Sequence, residues 1–576
     1  MRLRPAVMCL LSFSMLWPAP ALVPVAVAQE AQGSSLAEPA VIDTVPPDAI
    51  VLSQKECIEK ALADNIGIAV RRFDPQVSDA FVGVEESVLN PLLTGSAYKS
   101  SDQQKRISSF IGPYSSSVRL NAYSAQWYDP LSIGGSYQFN VDVSDDKSET
   151  ANQLGANSST GYNTDWKFTY NLPLLRHLGR QVNTSSIVVA QNSLGISESQ
   201  FRQTVLDTVA SAVKAYADLN YAILQLGTSR FSLKLAQDFL AQNRIKVRVG
   251  TLAPIEITQA EAQVADREES VIIFEAAVRA AEDNIRRVIG MRKDSPDWAR
   301  PVRPSDPLYL EEFEPSEETA LTAALSHRPD LEQARLDLLS RETTLRADKN
   351  LRRWGLDFQG AYGNLGFDDS SYSQSYSDLK DRNQTNWSLG LALSVPIGNR
   401  LAISNYQAAE SSLAQSQFRL AQVEQEARLE VRSAVRAVET NMKRVKASEV
   451  NVRLQHEKLD AEQKKFENGM STSFQVLQFQ DDLSNAEARE NLAKADYNKS
   501  LAELERVKGT LLERFNIDVQ SPVKDRGRRG GIPSADLSDT IRDPGLRVAE
   551  RTGEGIHLPT DFTFQSGQAV PASGSR

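Results

Sequence analysis

Cysteine, aromatic residues and long apolar runs are all scarce in this chain, and each shortage excludes something. Only two of the 576 residues are cysteine. Cys9 lies near the N-terminus and Cys57 stands alone behind it, which excludes an intramolecular disulfide in the processed chain. A small apolar residue on a helix is the simplest reading of Cys57. Aromatics make up 7% of the residues and mean hydropathy is -0.37, a balance that suits long solvated helices better than a large globular core. The four histidines, His177, His327, His456 and His557, are scattered. There is no His-Glu-x-x-His pair, no Gly-x-Ser-x-Gly elbow and no phosphate-cradling glycine loop, so neither catalysis nor a metal or cofactor is expected. His327 reads as a helix-surface histidine. The formal net charge of -10 repels nucleic-acid phosphate, so no nucleic-acid partner is expected.

The N-terminus reads as an address. Arg2 and Arg4 precede a short apolar run from Val7 to Leu16, and Ala26-Val27-Ala28 gives a small-x-small cleavage site before Gln29. Residues 1–28 are therefore expected to be a signal peptide. Gln29, not a cysteine, stands directly after that site, which argues against a lipid-anchored N-terminus. No later stretch reaches the roughly 18 consecutive apolar residues that a spanning helix needs. A membrane-embedded form of this chain must then be a barrel.

What is abundant is repetition. SQKECIEKALADN at Ser53–Asn65 is echoed by SEETALTAALSHR at Ser316–Arg328, and each opens a helix with a serine placed to cap it. Each copy leads toward an aromatic-containing strand, SAY at Ser96–Tyr98 and GAY at Gly360–Tyr362. Each then enters a long, charged, alanine-rich stretch, from about Val182 to Gly290 and from about Leu401 to Phe515. Leu206, Val209, Val213, Tyr216, Ile223 and Leu226 fall at three-four spacing, a narrow seam suited to helices packed lengthwise. Each stretch breaks once, at Arg248-Val249-Gly250-Thr251-Leu252-Ala253-Pro254 and at Asn468-Gly469-Met470-Ser471-Thr472-Ser473. Glycine accepts positive φ and ends a helix, and Pro or Ser/Thr restarts one. Two helical hairpins follow, with arms of roughly 60–70 residues in the first half, on the order of 100 Å.

Strand patterns lie between the short and long helices. Trp166, Phe168, Tyr170 and Leu172 alternate with Lys167, Thr169 and Asn171, and Leu356, Phe358 and Tyr362 with Asp357, Gln359 and Ala361. Trp387, Leu389, Leu391, Leu393 and Val395 alternate with small or polar residues. One face of each strand is greasy and the other polar, as a lipid-facing barrel strand requires. A further hairpin, near Val118–Trp127 and Tyr137–Val143, has no counterpart in the second half. It either extends the surface end of a barrel or enters the strand order. Four core strands cannot seal a membrane barrel, because the smallest need about eight and an open edge in lipid is costly. Several chains must share one wall. Two would give a barrel filled by side chains; three would give twelve strands and a water-filled lumen.

The divisions expected are a signal peptide (1–28), a flexible linker (29–51), a first repeat (52–290), a linker (291–315), a second repeat (316–517) and a disordered tail (518–576), in which Arg526, Arg528 and Arg529 form a small basic cluster. The fold class is mainly α with membrane β.

From Leu52 to Ile517 the chain resembles the TolC-like outer-membrane efflux family. The duplicated opening helix carries the resemblance, with the strand ends Asn171-Leu172-Pro173 and Ser394-Val395-Pro396 and the tips GTLAPIEITQAEAQ (Gly250–Gln263) and FENGMSTSFQVLQFQ (Phe466–Gln480). It implies a homotrimer with a twelve-stranded barrel in outer-membrane lipid, a helical periplasmic tunnel, and a periplasmic adaptor and inner-membrane pump as partners. It places Gly250, Thr251 and Leu252, and Gly469, Met470 and Ser471, at the adaptor contacts, although plain helix-turn-helix punctuation also accounts for the glycines. Glu256 falls where the family often has an acidic tip residue, and Ser471 where some members place its basic partner. The aperture positions that carry aspartates in well-known members are here Gln475 and Gln478. Amides hydrogen-bond across a constriction but carry no field, so cation binding there should be weak. Asp482, four residues beyond Gln478 on the same helical face, is a candidate for an acidic ring deeper in the tunnel, or else a solvated outer-face residue. A periplasmic coiled-coil scaffold without a pore explains the helices equally well, but not the two-faced strands.

Overall fold

The computed structural model describes residues 48–108, 112–152, 155–308, 310, 312–382 and 384–523. The signal segment, the linker up to residue 47 and the tail from residue 524, with Arg526, Arg528 and Arg529, lie outside the described residues.

The chain makes two passes with a common plan, a short strand, short helices, sheet strands and a long helical hairpin, though the elements differ in number. The first pass is β1 (Ile50–Leu52), α1 (Gln54–Asp64), α2 (Ile66–Arg71), α3 (Phe73–Glu86), β2 (Leu92–Ser108), β3 (Gly112–Pro130), β4 (Ser136–Asn152), β5 (Gly155–Pro173), α4 (Arg180–Asn183), α5 (Ser185–Arg248) and α6 (Ile255–Val288). The second is β6 (Val302–Pro304), α7 (Glu317–His327), α8 (Pro329–Leu351), β7 (Gly355–Asp368), α9 (Tyr372–Lys380), β8 (Gln384–Ser394), α10 (Arg400–Glu467), α11 (Ser473–Lys508) and α12 (Leu511–Arg514). No helix among the described residues is long and apolar enough to cross a membrane.

Local chemistry sets the element ends. Ser53 accepts the Glu56 amide at 3.1 Å and Glu56 accepts the Ser53 amide at 2.9 Å, a reciprocal capping box that starts α1. Ser316 occupies the matching cap position of α7, but its side chain makes no capping bond. The expected equivalence of the two serines holds in position only. The long arms are unequal: α5 has 64 residues and α10 has 68, about 100 Å each, whereas α6 has 34 and α11 has 36. The expected length of 60–70 residues therefore applies to one arm of each hairpin. All four arms end in glycine at positive φ: Gly250, Gly290, Gly469 and Gly509. At each, the glycine amide reaches back three residues and the next amide five, as in Thr251 to Lys246 at 3.0 Å and Met470 to Lys465 at 2.9 Å. This is the Schellman closure, and it needs the left-handed residue.

The chain forms two compact units that do not follow the two repeats. One unit joins the described part of Met1–Asp64 to Ala210–Pro315 and Ala434–Leu504. Here β1 and β6 pair in parallel, so residues expected in the two linkers form a small ribbon instead. It is held because Glu282, on α6, accepts from the Val302 amide at 3.3 Å and from Arg303 at 3.2 Å, while Arg286 donates to the Arg300 carbonyl at 2.8 Å. Tyr216 accepts the Asp306 amide at 3.0 Å. Val213, Tyr216 and Leu226 are buried and Ile223 packs beside them in part, as the helical seam predicts. Cys57 is fully buried, and burial pushes its thiol up to about 12.

The other unit joins Asn65–Val209, Ser316–Ser433 and the described part of Glu505–Arg576. Its centre is a six-stranded antiparallel sheet in the order β2-β3-β4-β5-β7-β8. The four core strands expected, β2, β5, β7 and β8, are joined in this sheet by two more, β3 and β4, which stand between β2 and β5. The hairpin is no surface appendage, because β3 pairs with β2 from Leu92↔Tyr128 to Ser108↔Gly112, and β4 pairs with β5 from Ser136↔Asn171 to Asn152↔Gly155. Its inner turn is built into the base of the sheet. Gly134 has φ +99° and a side chain there would meet the His177 carbonyl at 1.9 Å; one at Gly135 would meet the Asn171 carbonyl at 2.6 Å. Asn350, on α8, ties the same corner by accepting the His177 amide at 2.8 Å.

Register aligns the sheet's faces. Trp127, Phe139, Phe168, Tyr362 and Trp387 are cross-strand partners in one row, and side chains directly paired across antiparallel strands point to the same face. Val141, Trp166 and Leu391 lie on that face too. Gln126, Asn140, Lys167, Gln359 and Ser388 lie on the other. The nine-residue α9 packs on the apolar face at the far end of β5 and β7: the Ser375 hydroxyl donates to the Gly366 carbonyl at 2.9 Å and lies 3.2 Å from the Thr164 hydroxyl.

Candidate functional site: the paired helical tips

The helical unit brings the two tips together. Phe466, just before the second break, packs 5.3 Å from the ring of Phe239 on α5. Lys246 lies over the Phe466 ring at 3.7 Å and donates to the Phe466 carbonyl at 3.3 Å. Leu240, Ala260, Leu459, Val476, Leu477 and Leu483 complete an apolar cluster that joins α5, α6, α10 and α11. Above it, Asp481 takes Gln263 at 2.6 Å and an ion pair from Arg267. These contacts hold the hairpins to each other near their turns. Sequence reading missed them, although Phe466 stands in the quoted tip motif.

The turns themselves project. Gly250 and Gly469 have nothing within 4 Å of where a Cβ would stand. Thr251 is exposed and its hydroxyl bonds the Lys246 carbonyl at 3.0 Å. Leu252 is half-buried and Met470 is 72% exposed. Ser471 donates to Glu462 at 2.6 Å instead of meeting Glu256. That bond, with Lys465 at 3.0 Å, holds the Glu462 carboxyl below its ordinary range. Glu256 has one carboxylate oxygen buried without a hydrogen-bond partner.

The candidate gate residues differ in their engagement. Gln475 closes a capping box at the start of α11: its side-chain oxygen accepts from the Thr472 amide at 3.5 Å, and its amide donates to the Thr472 hydroxyl at 3.4 Å. The Ser471 hydroxyl lies 3.0 Å from the same oxygen. Gln478 is exposed. Asp482 is paired with Lys458 at 3.1 Å, and Lys458 also lies 3.8 Å over the Phe479 ring. The acid that could have formed a charged ring therefore has a cation beside it. Among the described residues no cluster of His, Cys, Asp and Glu is placed to hold a metal ion.

Comparison with known families matches residues 57–291 and 320–510 to the outer membrane efflux proteins. The chain belongs to the outer membrane efflux protein family. The match runs through both repeats, including both tips and the strands, and it places the two-faced sheet in a family of the outer membrane. The fusaric acid resistance protein FusA of Burkholderia cepacia is 26% identical over 249 residues, which span 42% of this chain and 44% of that relative. Among solved structures, the Campylobacter jejuni CmeC outer membrane channel aligns over 81% of this chain and 90% of its own, with TM-score 0.56 and 14% identity. VceC from Vibrio cholerae aligns over 79% and 96%, with TM-score 0.56 and 15% identity. At these identities the likeness establishes the fold: long helical hairpins joined in one chain to a membrane sheet.

Proposed function

We propose that this efflux-family protein is the passive outer-membrane duct of a tripartite efflux or type I secretion system, assembled as a homotrimer. One observation carries the reading. A single chain ends its sheet on two unpaired edges, β2 and β8, while presenting an apolar face whose Trp387, Leu389, Leu391 and Leu393 are each more than 60% exposed. Unpaired edges in lipid cost several kcal/mol per backbone group, so sister copies must complete the wall. Energy comes from an inner-membrane pump, and a periplasmic adaptor meets the projecting turns at Gly250, Thr251, Leu252, Gly469, Met470 and Ser471. Gln475 and Gln478 line the resting aperture, with Glu256 and Asp482 near it.

The test is photo-crosslinking from Thr251 and Met470 in cells that also express a candidate periplasmic adaptor and inner-membrane pump. Crosslinks from both tips to the adaptor, in a protein that needs detergent to leave the outer membrane, are the expected result. Release by salt alone would support a pore-free scaffold instead. Fusaric acid is the first cargo to try, given the curated relative's resistance role.

A further inference from the structure

We infer that every chain places all six strands in the membrane wall, so that three copies close a barrel of eighteen strands. The inference rests on the trimer reading above and departs from the twelve strands that the family resemblance implies.

Three observations converge. First, β3 and β4 stand between β2 and β5, paired along most of their length on both sides. Removing them from the wall would break two ladders of backbone hydrogen bonds. Second, the inner turn of the hairpin is wedged at the base of the sheet. The Gly179 amide donates to the Ile133 carbonyl at 2.9 Å, and Gly134 and Gly135 approach the backbone of the β5 exit too closely for any side chain. Third, the apolar face continues unbroken through the hairpin. Tyr123, Ala125 and Trp127 on β3, and Tyr137, Phe139, Val141 and Val143 on β4, share it with Trp166 and Phe168 on β5. A hairpin standing in water above the bilayer would have no use for such a face.

The edges accept a second copy. Neighbouring strands alternate in direction across the sheet, so β2 and β8 run oppositely. Setting β8 of one chain beside β2 of the next therefore continues the antiparallel alternation. The aromatic row runs from Trp387 on β8 to Trp127 on β3, whose partner on β2 is Leu93, so an apolar residue meets each edge at the same height. With strands about 4.8 Å apart and tilted about 40°, eighteen give a backbone diameter of roughly 36 Å, against roughly 24 Å for twelve. The barrel is then far wider than any small cargo, and size selection falls to the tips.

The experiment is imaging of the detergent-extracted wild type by single-particle electron microscopy, with the number of copies fixed by native mass. Alongside it, a Ser96→Cys/Ser124→Cys pair is built in a Cys57→Ala background; the two hydroxyls lie 2.7 Å apart across β2 and β3. The expected result is three copies, a wall of about 36 Å, and a disulfide that forms within one chain in outer membranes. Three copies around a wall of about 24 Å, with no disulfide, would overturn the inference and leave the trimer standing. Two copies around that narrower wall, with the disulfide formed, would overturn the trimer reading and the count of eighteen together.

Discussion

Lys458 Nζ stands 3.1 Å from Asp482 Oδ2, and this pairing fixes what that acid on α11 can do. Both side chains are partly exposed, so the pair stabilises the fold little. Its effect is on the local field, which it cancels. In planar bilayers the resting channel should show small conductance and weak block by divalent cations. Lys458→Ala should raise that block by exposing an unpaired carboxylate, while Asp482→Ala should leave wild-type block unchanged. Strong wild-type block that vanishes in Asp482→Ala would place the gate at Asp482 after all. Strong block that survives the change would move the aperture elsewhere.

Forty residues separate Gly250 from Gly290, and forty separate Gly469 from Gly509. The repeat is kept to the residue because each long arm and its return must close on left-handed turns. Gly250→Ala and Gly469→Ala meet open space, so each should cost only the left-handed penalty, about 1–2 kcal/mol. Gly509→Ala should cost more, since its Cβ would stand 2.7 Å from the His327 carbonyl. Thermal unfolding in detergent measures all three. Equal losses would show that the His327 contact yields freely.

Glu487 gives the helical unit a pH dependence. Burial, with repulsion from Glu490 in second place, pushes its carboxyl from 4.5 up to about 7. A raised acid favours the protonated folded form. Below about 4.5 the folded and unfolded states are both protonated and nothing is lost. Between that pH and about 7 the unfolded chain ionises first, so stability falls as pH rises, by on the order of 1–3 kcal/mol. Glu487→Gln should match the wild type near pH 4 and melt higher near pH 8. A variant no more stable at pH 8 would mean that the carboxylate finds solvent or a cation there.

Neighbouring positions on β8 should respond oppositely to charge. Leu391 pairs with Phe358 on the apolar face and Ala392 with Asp357 on the polar one. Leu391→Arg should cost about 2–4 kcal/mol at mid-bilayer and deplete the protein from outer-membrane fractions. Ala392→Arg should assemble normally and shift the reversal potential toward anions. Equal tolerance of both would mean that β8 is not a lipid-facing strand.

Periodicity made much of this legible beforehand. The seam through Val213 and Tyr216, the strand faces and the breaks at Gly250 and Gly469 are local patterns, written in side-chain spacing. The candidate gate was less legible. Gln475 looks like a pore amide by position, yet its oxygen is taken up by Thr472 and Ser471. Nothing at Asp482 announces Lys458, which lies 24 residues away on another helix.

By itself the sequence determined the element types and their repetition, because helix and strand periods, glycine turns and apolar alternation act over a few residues. The place of the hairpin was decided only in three dimensions. The alternation of β3 and β4 shows that they are two-faced strands but not which strands they pair with. Pairing order is set by partners distant in the chain, and by the close backbone approach that Gly134 and Gly135 permit. The ribbon of β1 and β6 was hidden for the same reason: Ile50–Leu52 and Val302–Pro304 are too short to show a period, and each becomes a strand only when it finds the other.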